Sequence, residues 1–417
     1  MQTDTDAQPP PLLSGPVILF MSIAAALGTS TMYPLQPAIA DVAGSLGVHI
    51  TGVGIALACG PVGYLVGLVV LVPLVDRFAP SRILAAQFGV LGGALALGAT
   101  VGGAAALGPV VAVVGMCSAV GAGLSSVAGR LAAPRRRATV LGMVTAGIPA
   151  GILVGRIVGG WLADQLGWRG MLLVFAAACG LAAACCLTAL PSATAGSSGR
   201  GYLPTLRSVP GLVVRHPALR SAALRGALWF FAFCAVWAGI AVALSEAPYS
   251  YSAEQIGLYA LAGLAGIPAT RIAGTWTDRV GARRVILVGL AAAAAAAVAV
   301  GFGLASTVVT LVCLALFDAG LFAAQVANQS TVLAIDAAAP ARFNSAYMVV
   351  YFVGGSLGTA FGAAAISWIG WTGLALVAAA AVASAAAATG LSQPTDPPAP
   401  QPAPPGSGAR GPGRARP

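Results

Sequence analysis

Residues 73–84 read PLVDRFAPSRIL, and residues 275–287 read TWTDRVGARRVIL. The pairs Asp76-Arg77 and Asp278-Arg279 stand 202 residues apart, each at the end of a long apolar run. Further blocks repeat at nearly the same offset. Gly60 and Gly63 match Gly263 and Gly266, while Gly151, Gly155 and Gly159 match Gly354, Gly358 and Gly362, all 203 residues later. A one-residue shift between blocks is what a single loop deletion produces, so the chain reads as one unit written twice. In a helical membrane protein a two-fold repeat points to a transporter, whose repeats rock against each other around a midplane site.

The composition outside these blocks agrees with a membrane protein. Of 417 residues, 58% are hydrophobic and 8% charged, with a mean hydropathy of +0.90. A soluble surface needs more charge than this, so lipid is the expected solvent. Apolar runs of about 20 residues suffice to cross a bilayer. They predict helices at 16–38, 51–74, 83–101, 108–130, 139–162 and 170–190, then at 222–245, 255–276, 284–304, 308–330, 345–367 and 372–391. The expected fold is an all-α polytopic membrane protein of 12 transmembrane helices in two pseudo-symmetric six-helix halves. A polar segment, 1–15, precedes the first bundle, 16–190; a Ser-, Gly-, Pro- and Arg-rich linker, 191–221, leads to the second, 222–391. The Pro- and Arg-rich tail, 392–417, lacks a hydrophobic pattern and is expected to be disordered.

All 21 basic residues are arginine. With no lysine, a P-loop cannot be built, which leaves an ion gradient as the expected source of energy. Seventeen arginines fall at one set of alternate loops and the tail: 77, 82, 130, 135, 136, 137, 200, 207, 215, 220, 279, 283, 284, 342, 410, 414 and 416. The opposite loops hold only Arg169. By the positive-inside rule both termini should be cytoplasmic, in a cell membrane. The seven cysteines lie within apolar runs and read as packing residues; His49 and His216 are far apart, so no metal site is expected. No cofactor or nucleic-acid partner is expected. A small solute, lipid and protons are, with one chain as the working unit. The eleven acidic residues are too scattered for a membrane enzyme.

Asp318 stands near the middle of the run 308–330. An ionised carboxylate there costs on the order of 2.5–3.5 kcal/mol even on lenient insertion scales, so it should face protein or a water-filled cavity. It is the first candidate for a proton-coupling group, the alternative being a structural carboxyl bonded to a neighbouring helix. Phe322, Gln325 and Gln329 follow on one face at +4, +7 and +11. Arg156, about six residues from one end of its span, could contact substrate, pair with Asp318 or snorkel to the surface. Arg225 and Arg271 sit nearer the arginine-rich face, where snorkelling is favoured. Trp229, Phe233 and Trp237 form an aromatic stripe that suits packing as well as ring stacking. Gly147, Gly151, Gly155 and Gly159 line one face of the fifth span, as Gly354, Gly358 and Gly362 do on the eleventh, and each stripe predicts a close helix–helix interface.

The segment Gly274-Thr-Trp-Thr-Asp278-Arg279-Val-Gly281-Ala-Arg283-Arg284, with its degraded copy retaining Asp76, Arg77 and Arg82, resembles the paired loops of the major facilitator superfamily. Over residues 16–391 the chain is similar to the twelve-span drug–proton antiporters. Tyr33-Pro-Leu-Gln36-Pro37, Gly155-Arg156 and Tyr347-x3-Tyr351-x2-Gly354-Gly355 are similar to the arabinose-efflux-like permeases. It departs from the antiporter pattern where Arg156 replaces a proline and Cys117 an arginine. The resemblance implies the major facilitator fold, with Asp76, Arg77, Arg82, Asp278, Arg279, Arg283 and Arg284 in conformational switch loops. It also implies a cavity lined from spans 1, 4, 7 and 10, which makes Gln36, Trp229, Phe233 and Gln325 candidate liners. The leading functional expectation is proton-coupled efflux of a small organic solute by alternating access. Import by symport or facilitation, and a non-transporting receptor or assembly factor on the same scaffold, are the alternatives.

Overall fold

A computed structural model describes residues 13–133, 136–190, 211–336 and 340–391. The polar N-terminal segment to residue 12, Arg135, linker residues 191–210 with Arg200 and Arg207, the tail from 392 and the side chain of Asp76 lie outside the described residues. Among the described residues there is no strand. Lipid offers no partner to backbone N–H and C=O groups, so a spanning segment closes its own hydrogen bonds as a helix.

Among the described residues, nine helices are long and apolar enough to cross a membrane. Two of them, Thr139–Ala189 and Arg342–Gly390, would reach about 75 Å if straight, over twice a hydrocarbon core. Each is broken into two spans, at Gly167 (φ 71°) and Gly370 (φ 66°) respectively. Positive φ is open to glycine without a Cβ penalty. Together with the shorter apolar helix Gly15–Ser30, this makes the expected twelve. The two breaks expose one more repeated block: Gly167-Trp168-Arg169-Gly170 and Gly370-Trp371-Thr372-Gly373, again 203 residues apart. Each tryptophan ties its turn down, Trp168 donating to Ser45 Oγ (2.7 Å) and Trp371 to the Val300 carbonyl (2.8 Å).

The first span is corrected at its end. Its helix stops at Ser30, not at 38; turns fill 31–38, and a separate helix, Ile39–Leu46, follows. Pro34 and Pro37 supply no N–H and hold the residues before them out of the α region. Thr31 Oγ1 bonds back to the Gly28 carbonyl and across to Ser118 Oγ, both at 2.8 Å. The second span bends at Leu71, between Ile50–Val70 and Val72–Arg77, and the fourth at Ala119, between Ala104–Ser118 and Val120–Leu131. The eighth span runs as Ala253–Leu258, a 3-10 stretch Tyr259–Ala265, and Gly266–Val280. Pro268 lies just after that stretch, where its ring opposes the carbonyl four residues back and its missing N–H breaks the α-helical ladder.

The halves use the same pairings. The fifth span lays Gly147, Gly151, Gly155 and Gly159 against Ser22, Ala26, Ser30 and Pro34 of the first span and its turn. The eleventh lays Gly354, Gly358 and Gly362 against Ala227, Phe231 and Ala235 of the seventh, Pro217–Ser245. At six of these seven glycines an added Cβ would collide with a facing backbone carbonyl, and at Gly159 with Pro34 itself. The third span, Pro80–Thr100, packs on the sixth as the ninth, Ala282–Gly303, packs on the twelfth. Across the halves the second span meets the eleventh and the fifth meets the eighth.

Candidate functional site

The tenth span, Thr307–Leu333, carries Asp318 at its middle, and 1% of that residue is exposed. The indole N–H of Trp237, on the seventh span, donates to Asp318 Oδ1 at 3.2 Å. Arg156 on the fifth span is 4% exposed, and its guanidinium carbon lies 4.2 Å from the centre of the Trp237 ring. Tyr33 and Phe233 place their rings 5.1 and 5.8 Å from the same carbon. A desolvated cation over aromatic faces gains about 2 kcal/mol per good contact, which offsets part of the cost of keeping Arg156 in an apolar interior. Gln36 Oε1 accepts from Arg156 Nε at 3.0 Å. Arg156 and Asp318 thus belong to one cluster without pairing directly. The Trp237 indole stands between them, its face to the cation and its edge to the carboxylate.

This cluster sits where the two halves touch. A Cβ at Gly263, in the 3-10 stretch, would meet Leu153 of the fifth span and Asp318 Oδ2. About two turns back along the same span, Gly257 lies against the backbone carbonyl of Arg156. Gly160 packs on Ala253, and the Asp164 carboxylate accepts from the backbone N–H groups of Ala253 and Glu254, both at 3.1 Å. Asp164 of one half therefore caps the eighth-span helix of the other, using the unsatisfied N–H groups every helix start presents. Beside it, partial burial and then the charge of Asp164 push the Asp41 carboxyl above its ordinary range. The second span meets the eleventh through Gly54 and Ala363, through Ser356 Oγ donating to the Ala58 carbonyl (2.9 Å), and through Tyr64 and Phe352, whose ring centres are 5.0 Å apart. These contacts run from the arginine-poor end to the middle of the molecule.

The remaining candidates form a second polar layer. Gln325 Oε1 accepts from Trp229 Nε1 (3.2 Å) and from the Tyr347 hydroxyl. Phe322 packs against Trp229 and Phe233, with ring centres at 6.4 and 5.7 Å. Gln329 donates to Asn344 Oδ1 at 3.0 Å. Arg225 corrects the snorkelling expectation. It is 7% exposed, and its Nε and Nη2 both donate to Asn328 Oδ1, at 3.1 and 2.9 Å, while Nη1 donates to Ser221 Oγ. A buried acceptor that satisfies two guanidinium donors outweighs the reach of the side chain to the surface. Arg271 is exposed.

Two segments of the chain, 18–249 and 227–415, match the model of the Major Facilitator Superfamily. The chain belongs to that superfamily. It is 30% identical over 362 residues to the uncharacterized transporter YgaY of Escherichia coli O157:H7, covering 87% of this chain and 92% of that protein. A bacterial homologue of the human lysosomal transporter Spinster, solved in an inward-facing and occupied conformation, superposes with a TM-score of 0.71 at 14% identity, over 90% of this chain and 96% of that one. The nucleoside transporter NupG gives 0.69 at 13% identity, over 89% and 98%. These likenesses establish the major facilitator fold of 12 membrane helices in two halves. The protein is a multi-pass membrane transporter, not an enzyme.

Within this major facilitator frame the paired loops look outward. Arg77, Arg82, Asp278, Arg279, Arg283 and Arg284 are exposed, and Arg283 Nη2 donates to the Gly390 carbonyl at 2.6 Å. Sequence reasoning left several residues of the central cluster unassigned. Trp237 was one member of an aromatic stripe, and nothing in the stripe singled it out as the bridge between Arg156 and Asp318. Tyr33 was visible only within its motif. Asp164 carries a signal in hindsight: a carboxylate near a span end, facing a Ser-x-x-Gln start at Ser252–Gln255, which folds as a capping box.

Proposed function

We propose that this transporter is proton-coupled and moves a small organic solute by alternating access, with Asp318 as the group that takes up and releases the proton. One observation carries the reading. Asp318 is the buried carboxylate at the middle of a span, and it stands at the joint of the two halves, within one cluster with a cation from the other half. Rocking the halves changes the distance from Asp318 to Arg156 and to water, and so changes the relative energy of its charged and neutral forms.

The distribution of arginines supports cytoplasmic termini and a cell-membrane location. With that sidedness, the closed arginine-poor end faces outward. Resemblance to the antiporters implies exchange and therefore efflux. The charge of Arg156 favours the other sign, co-transport, because a cation in the site repels cationic substrates and attracts anions that arrive together with a proton.

Proteoliposomes containing the purified protein and a pH-sensitive dye test the coupling. A panel of solutes should include one whose flux moves protons and is driven uphill by a pH gradient. Asp318→Asn, which keeps shape but cannot titrate, should abolish the uphill flux while leaving exchange at equal pH. Wild-type uphill transport by the variant would rule out Asp318 as the coupling group.

A further inference from the structure

We infer that the Arg156 cluster is a binding site for an organic carboxylate, with an aromatic or apolar body, that is bound together with a proton. This names the substrate class for the transport reading above and rests on it. The first observation is an unused donor set. Gln36 takes the Nε hydrogen of Arg156, and the guanidinium carbon lies over the Trp237 face. Its terminal Nη1 and Nη2 groups have no hydrogen-bond acceptor among the described residues, although only 4% of the residue is exposed. Stacking uses the faces of a guanidinium and leaves its edge free. That edge is the planar fork that matches a carboxylate through two parallel N–H···O bonds. The two terminal nitrogens are not among the sealed buried atoms that lack a partner, so the fork reaches open space where an incoming anion can meet it.

The second observation is the lining. Tyr33, Phe233 and Trp237 surround the guanidinium, and Phe322 packs on Phe233. An inorganic anion gains nothing from these rings, whereas the ring or chain of an organic acid gains apolar burial and stacking. The third observation is the nearby Asp318. With Asp318 ionised, Arg156 and Asp318 sum to zero and a second carboxylate is repelled. Protonating Asp318 leaves the cation uncompensated and ready for the anion. Substrate and proton therefore raise each other's affinity, as reciprocal linkage requires. The other titratable groups facing the pair are the phenol of Tyr33 and the thiol of Cys234, with the phenols of Tyr64 and Tyr351 next to those two. Ordinary phenol and thiol pKa values, about 10 and about 8.5, leave Asp318 as the group to titrate at acid to neutral pH.

Calorimetry on the purified protein tests this with benzoate and phenylacetate as probes, against benzamide, phenylacetamide and benzylamine. The carboxylates should bind at least about tenfold more tightly than the amides and the amine, the step lost with one charge-assisted contact. Their affinity should fall as pH rises and Asp318 loses its proton. Titrations in buffers of different ionisation enthalpy should show close to one proton taken up per carboxylate. Arg156→Gln should lose carboxylate binding, Arg156→Lys should keep a weakened share of it, and Asp318→Asn should bind without pH dependence. Equal affinity for carboxylate and amide would overturn the assignment, as would undiminished binding in Arg156→Gln. Sulfate or chloride competing as well as benzoate would overturn its organic part. Carboxylate binding that depends on Arg156, without pH-driven flux in proteoliposomes, would uphold this site and refute the coupling reading. Asp318-dependent flux of other solutes, with no carboxylate bound, would do the reverse.

Discussion

Removing the Asp164 carboxylate should open the arginine-poor end of the molecule. In the structure Asp164 accepts two backbone N–H groups, from Ala253 and Glu254, at 3.1 Å each. Loss of a helix cap typically costs about 1 kcal/mol, and bonds to a charged acceptor reach about 1.5–3 kcal/mol each when buried. Asp164 is exposed, so the lower figure applies to each bond. Asp164→Ala then weakens the closed arrangement by about 2 kcal/mol, a shift of about 30-fold in the closed-to-open ratio. Asp164→Asn keeps one acceptor oxygen and loses the charge, for about 1 kcal/mol and roughly fivefold. Spin labels at Gly102→Cys and Ala305→Cys, two exposed loop positions on opposite halves at this end, would report the change in a cysteine-free background. The distance distribution should gain a longer component, larger in Asp164→Ala than in Asp164→Asn. An unchanged distribution in both variants, at an unchanged melting temperature, would show that the cap does not hold the halves together.

Gly358→Leu should force the seventh and eleventh spans apart at Phe231, at about 1–3 kcal/mol or more. Its melting temperature in detergent should drop by several degrees, whereas Gly180→Leu, with nothing within 4 Å of its Cβ position, should change little. Arg225→Leu leaves Asn328 Oδ1 without its two donors and should cost about 1–3 kcal/mol; a double-mutant cycle with Asn328→Leu should return a coupling of the same order, and additive losses would deny the interaction. Asp41 titrates above its ordinary 3.8 because of burial and the Asp164 charge, so its contribution to stability is present at low pH and lost as pH rises through the raised value. Asp41→Asn should match wild type below that ordinary value and melt higher above it; identical pH profiles would remove Asp41 from the account.

Much of the fold was legible because crossing a bilayer is a local property. A run of about 20 apolar residues must be a helix wherever its neighbours lie, and the arginine and proline breaks marked where each run ended. The span that misled, 16–38, did so because apolar content continued past Ser30 while Pro34 and Pro37 ended the helix. Glycine spacing was equally readable. Gly147 to Gly159 and Gly354 to Gly362 repeat every four residues, and close approach needs only a smooth face. Their facing partners, the first and seventh spans, came from the structure.

The candidate site was legible in part. Asp318 and Arg156 stood out because charge inside an apolar run is expensive and visible in one dimension. Their relation did not show, because residues 156, 237 and 318 lie on three helices whose rotation about their own axes is set by packing. Only the tertiary structure placed the Trp237 indole between cation and carboxylate, turned Arg225 inward to Asn328, and set Asp164 over the start of another half's helix. Twelve spans, their repeat and the presence of Asp318 and Arg156 deep within them were readable from the chain alone, since each follows from the free energy of a segment in lipid. Which buried groups meet was decided by the packed halves, because contact between side chains 80 or more residues apart depends on helix register and crossing, and neither is written in a local run of residues.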